Sequence, residues 1–195
     1  MRIVSGSLRG RTIPSRRCLA DIRLTSAMLK EAIFSMLGSD LTGCAFLDLC
    51  AGSGQVGLEA ASRGAQVLLN EPDHRRCEQI RALVSQWRVE DARVECVRAQ
   101  RLIPLLQEQG SRFDVIYVDP PYHALRDGRP LSLDLLEGLG DAHLLCERGL
   151  VLVQHQSELP LPEQVGALGV LRRRPYGTTT LSVYGCGPAA DQPVP

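Results

Sequence analysis

Apolar positions along this chain change repeatedly between a period near 3.6 and short unbroken runs, and the changes mark its elements. Met28, Leu29, Ala32, Ile33, Met36 and Leu37 recur at helical spacing, with Thr25 or Ser26 placed to cap the start and Gly38 after the end. The run 45–50 reads as a strand, the glycine-rich turn after it as a loop, and 55–63 as a helix. Strand 66–71 and helix 73–87 follow, then strand 93–97, a helix near 101–109 and the strongly apolar strand 113–119. A helix around 131–145 leads to strand 150–155, and two late strands, near 167–173 and 178–184, complete the pattern. Such alternation predicts a parallel sheet covered on both faces. Upstream, residues 2–13 alternate loosely around Gly6 and Gly10, which suggests a short Arg-rich β-hairpin. The end of the chain, 186–195, is rich in Pro, Gly and Ala and reads as a disordered tail.

The first predicted strand runs into Asp48-Leu49-Cys50-Ala51-Gly52-Ser53-Gly54-Gln55-Val56-Gly57. Gly52, Gly54 and Gly57 satisfy the G-x-G-x-x-G spacing between a strand and a helix, and Glu71 closes the next strand, where an acid can bind ribose hydroxyls. The glycines alone leave a nicotinamide or flavin enzyme open. Asp48 bears on the choice, because a dinucleotide brings an anionic pyrophosphate onto this turn. Two like charges ~4 Å apart cost about 1 kcal/mol in water and several times more near a protein surface. S-adenosylmethionine instead carries a cationic ammonium and sulfonium, which a carboxylate favours. Asp48 can equally cap the turn by hydrogen bonding.

The second informative segment is Phe113-Asp114-Val115-Ile116-Tyr117-Val118-Asp119-Pro120-Pro121-Tyr122. Here an apolar strand ends in a carboxylate, and two prolines stop it and stiffen the loop. In an open α/β sheet both this loop and the glycine turn are expected at the carboxyl edge. An exocyclic amine on a purine is a poor nucleophile, because its lone pair is delocalised into the ring. Hydrogen bonds to Asp119 and to a carbonyl of the Pro120-Pro121 segment would bias that lone pair toward a methyl donor, and alignment supplies most of the catalysis. Tyr122 is suited to stack on the base. Neither a metal nor a covalent nucleophile is required.

At 195 residues the chain fits one domain, and no apolar run approaches the roughly 18 residues of a membrane span. Its start lacks an apolar core of signal-peptide length. Seven scattered cysteines, an odd number without close pairs, read as free thiols in a reducing cytoplasm. The formal net charge of zero hides an asymmetry. Residues 1–30 hold Arg2, Arg9, Arg11, Arg16, Arg17, Arg23 and Lys30 against the single acid Asp21, so a basic arm precedes an acidic body. Clustered cations of this kind suit phosphate contacts, though a solvated terminus has the same composition.

Together these residues resemble a class I methyltransferase of the amino-methylating type, and more narrowly the RsmD-type 16S ribosomal RNA (guanine-N2)-methyltransferases. Arg2-Ile3-Val4-Ser5-Gly6 with Arg9-Gly10-Arg11, the helix from Leu24-Thr25-Ser26 through Phe34, the run 48–63, the tetrapeptide 119–122 and the ending Tyr176-Gly177-Thr178-Thr179-Thr180-Leu181 carry the likeness, over roughly residues 1–185. The resemblance implies a Rossmann-like α/β fold, with a seven-stranded, mostly parallel sheet whose last strand is antiparallel, and a small N-terminal β-extension. It implies three segments: a basic hairpin extension over 1–24, a methyltransferase domain over 25–185 and the tail. S-adenosylmethionine would be held by Asp48, Cys50, Ala51, Gly52, Ser53, Gly54, Glu71, Pro72 and Thr25, with Arg98 and Gln100 the candidates for its adenine. Two departures stand out: Leu24 replaces the family's usual proline, and Cys50 its usual phenylalanine. Asp119, Pro120, Pro121 and Tyr122 would act on the guanine N2 amine. Arg2, Arg9, Arg11, Arg16, Arg17 and Arg23 would contact small-subunit RNA, within an assembled or assembling 30S subunit.

The Arg172-Arg173-Arg174 stretch suits either RNA contact or a solvated edge strand, and His123 reads as loop chemistry. The expected protein is a cytoplasmic monomer with no metal. The alternatives are an amino-methyltransferase acting on another RNA, DNA adenine or protein glutamine, and a non-catalytic RNA-binding assembly factor. The basic arm favours nucleic acid over protein, and the lack of an obvious DNA-reading domain favours RNA.

Overall fold

The computed structural model describes residues 1–14 and 27–186. Arg16, Arg17, Arg23, the expected helix cap at Thr25 or Ser26, and the tail beyond Cys186 lie outside the described residues. The chain divides into two compact units, with the boundary between Arg98 and Ala99.

In the first unit, α1 (Ala27–Leu37) is followed by β1 (Ala45–Asp48), α2 (Gln55–Ser62), β2 (Gln66–Asn70), α3 (His74–Trp87) and β3 (Ala92–Glu95). The strands pair in parallel in the order β3-β2-β1, with Asp48 opposite Leu69 and Asn70 opposite Glu95. Phe46, Leu47, Leu49, Leu58, Leu69 and Ile80 form its core. Helix α2 is buried nearly all round, Glu59 included. Gly57 permits this packing, because a Cβ there would stand 2.6 Å from Leu69 Cδ2 and 3.1 Å from Asp48 Oδ2.

The N-terminal arm folds back as expected, with the Ile3 N–H bonded to the Arg11 carbonyl, Ile13 to that of Met1, and one bridge joining Arg2 to Thr12. It is no solvated terminus, since Ile3, Leu8 and Ile13 are buried. Gly6, at φ 79°, lies so close to the end of α2 that a Cβ would overlap the Ser62 carbonyl. The dock is charged as well. Glu59 accepts the N–H groups of Val4 and Ser5 at 2.9 and 3.1 Å, Lys30 Nζ at 3.0 Å and Arg63 Nη2 at 3.1 Å. Lys30 Nζ also donates to the Arg2 carbonyl. Lys30, counted among the cations of residues 1–30, is thus buried in this network.

In the second unit, α4 (Ala99–Glu108) and β4 (Phe113–Val118) precede a small hairpin of β5 (Leu125–Arg126) and β6 (Arg129–Pro130), then α5 (Leu131–Ala142). Strands β7 (Leu145–Gln156), β8 (Gln164–Val165), β9 (Leu168–Tyr176) and β10 (Thr179–Cys186) follow. The order here is β4-β7-β10-β9-β8, with β4 and β7 parallel and β10 antiparallel to both neighbours. The fold class is therefore the expected Rossmann-like α/β one, mostly parallel with antiparallel final strands. Beyond the expected strands, the second unit's sheet gains the two-residue β8 at its end. It lies against α5, where a Cβ on Gly140 would stand 2.5 Å from the Val165 carbonyl oxygen. The helix expected to reach residue 145 stops at Ala142, because His143 takes the left-handed conformation at φ 49° and turns the chain into β7. No helix among the described residues is long and apolar enough to cross a membrane.

Candidate active site

In the first unit the glycine turn is held from beneath by buried polar groups. Asp48, only 1% exposed, accepts the Gly57 N–H on Oδ2 at 2.9 Å. Glu71, 4% exposed at the end of β2, accepts the Gly52 N–H at 2.9 Å and the Asp73 N–H at 2.9 Å. Burial raises the Glu71 pKa, opposed by the Asp73 N–H, the Arg76 charge and the Gly52 N–H. Asn70, absent from the sequence reading, anchors the turn at a third point: its carbonyl takes the Ala51 N–H, and its side-chain amide donates to the Leu49 carbonyl. Around this frame Cys50 and Gly52 are half-buried, Ala51, Ser53 and Gly54 buried, and Pro72 and Arg98 exposed.

This arrangement discriminates between ligands. A dinucleotide turn must offer backbone N–H groups to phosphate. Here the Ala51, Gly52, Gly54 and Gly57 N–H groups go to the Asn70 carbonyl, Glu71, the Ala51 carbonyl and Asp48. Two buried carboxylates beside the turn add an environment hostile to pyrophosphate and congenial to a cation. The residues fit S-adenosylmethionine, with Glu71 retaining lone pairs for ribose hydroxyls. Asp48 serves as a brace for the turn as well as a source of negative potential.

In the second unit, β4 delivers Asp119-Pro120-Pro121-Tyr122 at its carboxyl end. Strand β4 is buried from Val115 to Val118, as a strand covered on both faces must be. Asp119 and Tyr122 emerge half-buried, Pro120 is buried and Pro121 exposed. Tyr117 Oη lies 3.3 Å from Asp119 Oδ2 and donates to Gln154 Oε1 at 2.8 Å. Gln154 Nε2 donates to Tyr122 Oη at 3.2 Å, and Tyr122 Oη donates to Thr179 Oγ1 at 2.8 Å. Tyr117, Gln154 and Thr179 are each at most 2% exposed and were not singled out from sequence. A recess beside the loop is walled by Pro120, Pro121, Tyr122, Pro130, Leu131 and Leu159, with Ser132 and Gln156 as polar groups. Gln100 Nε2 donates to Asp134 Oδ2 of α5 at 3.3 Å. His123 is exposed.

The three arginines of β9 are not equivalent. Arg173 binds Glu163 and the Leu161 and Pro162 carbonyls, so it braces the edge of the sheet, while Arg174 is exposed. Of the arm residues described, Arg2, Arg9 and Arg11 are exposed, and the Arg11 guanidinium sits 5.6 Å from the centre of the Trp87 ring.

Comparison with known proteins extends over nearly the whole chain. Residues 1–185 match the family model described as conserved hypothetical protein 95. YlbH of Bacillus subtilis is 31% identical over 94% of this chain and 98% of its own length. Ribosomal RNA small subunit methyltransferase D of Escherichia coli K12 is 28% identical over 94% of this chain and 89% of its own. Among solved structures, a hypothetical protein of Thermus thermophilus superposes with a TM-score of 0.79 at 31% identity, covering 94% of this chain and 98% of that one.

Proposed function

Since the chain belongs to the RsmD-type methyltransferase family, described as conserved hypothetical protein 95, we propose that it transfers a methyl group from S-adenosylmethionine to the exocyclic N2 amine of a guanine in small-subunit ribosomal RNA. The observation that carries this reading is the emergence of Asp119, half-exposed, from the end of an otherwise buried strand and directly ahead of Pro120-Pro121-Tyr122. A carboxylate in that position accepts a hydrogen bond from an amine while the following prolines fix the direction of the neighbouring carbonyl.

S-adenosylmethionine supplies a methyl group on a sulfonium, already a strong leaving group. The chain's own residues do the rest. Cys50–Gly54 and Glu71 hold the donor, Pro72 and Thr25 contribute contacts, and Arg98 or Gln100 meets the adenine. Asp119 and the Pro120 carbonyl accept the two amine hydrogens and turn the nitrogen lone pair toward the methyl group, and Tyr122 stacks on the base. As the nitrogen–carbon bond forms, the amine loses a proton, for which Asp119 is the adjacent acceptor. Residues 1–24 act as an RNA-contacting extension, with Arg2, Arg9, Arg11, Arg16, Arg17 and Arg23 on phosphates, and 25–185 as the methyltransferase domain. The substrate is rRNA within an assembled or assembling 30S subunit, and the enzyme a cytoplasmic monomer.

The test is transfer of labelled methyl to naked rRNA and to small subunits from a strain lacking the gene, followed by mapping of the modified base. A methylated guanine N2 is the expected product. Label on an adenine, or on neither preparation, overturns the assignment.

A further inference from the structure

Beneath the acceptor loop, Asp119 and Tyr122 are joined through buried side chains, and we propose that Tyr117 and Gln154 are positioning residues that lock these two groups into one unit. This proposal rests on the reading of Asp119 and Tyr122 given above.

Strand geometry accounts for the contact. Tyr117 and Asp119 are two positions apart on β4 and its continuation, so both side chains leave the same face. In the β4–β7 register Val118 pairs with Val153, which brings Gln154 alongside the end of β4. In the β7–β10 register Thr179 pairs with Gln156, two positions further along β7. One buried amide therefore bridges the phenol beneath Asp119 and the phenol of the base platform, while Thr179 holds the latter from the next strand.

Counting protons gives this bridge two settings. Tyr117 carries one hydroxyl proton, and both Gln154 Oε1 at 2.8 Å and Asp119 Oδ2 at 3.3 Å stand within its reach. In one setting the proton goes to Gln154, whose amide N–H in turn donates to Tyr122. Turning the Gln154 amide over exchanges its oxygen and nitrogen with little movement of other atoms. Its N–H then donates to Tyr117 Oη and releases the Tyr117 proton toward Asp119, while its oxygen accepts from Tyr122, whose bond to Thr179 reverses so that the Thr179 hydroxyl donates. A charged Asp119 favours this second setting, because a hydrogen bond to a carboxylate is roughly twice as strong as a neutral one. Gln154 thus couples the charge state of Asp119 to the hydroxyl that sets the plane of the Tyr122 ring. The network acts on the alignment of the acceptor amine, so its loss belongs in kcat rather than in donor affinity.

Two variants that remove the linking polar atoms test the bridge, Tyr117→Phe and Gln154→Leu. Each is expected to lower kcat at least roughly tenfold, with unchanged donor affinity and little change in KM for RNA. The Tyr117→Phe/Gln154→Leu double variant is expected to lose little more than either single one, since both remove the same link. Wild-type kcat in both single variants overturns the proposal, as does full additivity in the double variant. A parallel fall in donor affinity overturns it too, by showing a general loss of structure. Should Tyr117→Phe fold poorly, Gln154→Leu alone decides on the same kcat and donor-affinity criteria. If wild-type protein methylates neither RNA nor subunits, the functional reading itself has failed. That result is distinct from an active wild type with unaffected variants.

Discussion

The glycine turn and the acceptor loop are both expected to handle substrate through a carboxylate, yet they use their carboxylates in opposite ways. Asp48 and Glu71 are almost wholly buried and hold backbone N–H groups, so the turn is built around them. Asp119 is half-exposed and linked downward through the Tyr117 phenol. In the first region an acid is part of the scaffold; in the second the scaffold is a set of neutral side chains that supports an acid. Removing a scaffold carboxylate therefore disturbs shape and affinity together, whereas removing the supported one should leave the shape and take away the chemistry.

The largest effect that follows is on Asp119→Ala. Its kcat is expected to fall by roughly 10²–10³, the size of losing one preorganised polar partner at a reacting centre, with thermal stability and donor affinity retained. Steady-state transfer and donor titration on the same preparation measure both. Loss of donor affinity alongside kcat would erase the contrast between the regions. Asp48→Ala should behave in the other way. It leaves the buried Gly57 N–H without its acceptor, which costs about 1–3 kcal/mol of unfolding free energy. Donor binding should weaken by roughly tenfold, equivalent to about 1.4 kcal/mol. Denaturant unfolding and calorimetric titration read the two effects, and a variant of normal stability with weakened binding would show that Asp48 acts by charge alone.

The parts legible in the sequence were those with local causes. Period and punctuation revealed the parallel strands and the five helices, because most of the helices bury one face and most of the strands end at or beside a Gly, Pro or acid. The place of the tetrapeptide at the end of β4 was legible because two prolines after a carboxylate cannot continue a strand. Contacts at long sequence separation were not legible. Glu59 meets Val4 and Ser5 some 55 residues upstream, and Gln154 bridges two tyrosines more than 30 residues away. A polar residue such as Gln154 in the run Val151-Leu152-Val153-Gln154-His155 signals a buried hydrogen bond without naming its partner. Lys30 was legible only as one cation among residues 1–30, because its partner Glu59 lies 29 residues away.

Glu71 gives a smaller, pH-dependent effect. Its pKa is raised chiefly by burial, so the charged form is disfavoured in the folded protein relative to the ordinary value of 4.5. A group raised in this way adds stability below its unfolded pKa, and that contribution is lost as pH rises through the folded value. Donor binding has the opposite sign, because ribose hydroxyls bind the anion. Affinity should begin to fall, as the pH is lowered, at a higher pH than for an ordinary Glu. Donor titration across mildly acidic pH checks this, and Glu71→Gln should be weaker overall and nearly flat. An unchanged pH dependence in Glu71→Gln would remove Glu71 from the ribose contact.

The smallest effect concerns the arm, where docking and RNA contact fall on different residues. Glu59, Lys30 and Ser62 hold the arm's backbone, while the Arg2, Arg9 and Arg11 side chains are exposed. Replacing these three arginines with Ala should therefore leave stability almost intact, apart from the modest stacking of Arg11 on Trp87. Each phosphate contact to a single strand contributes about 0.7 to the slope of log affinity against log salt, so losing three should flatten that slope by about 2. Filter binding to small-subunit RNA across a salt series measures it. A slope equal to that of wild type would mean that these guanidiniums face solvent even in the complex. The arm would then serve to cover α2, and the RNA-contacting role would pass to cations elsewhere, with Arg174 on β9 one exposed candidate among the described residues.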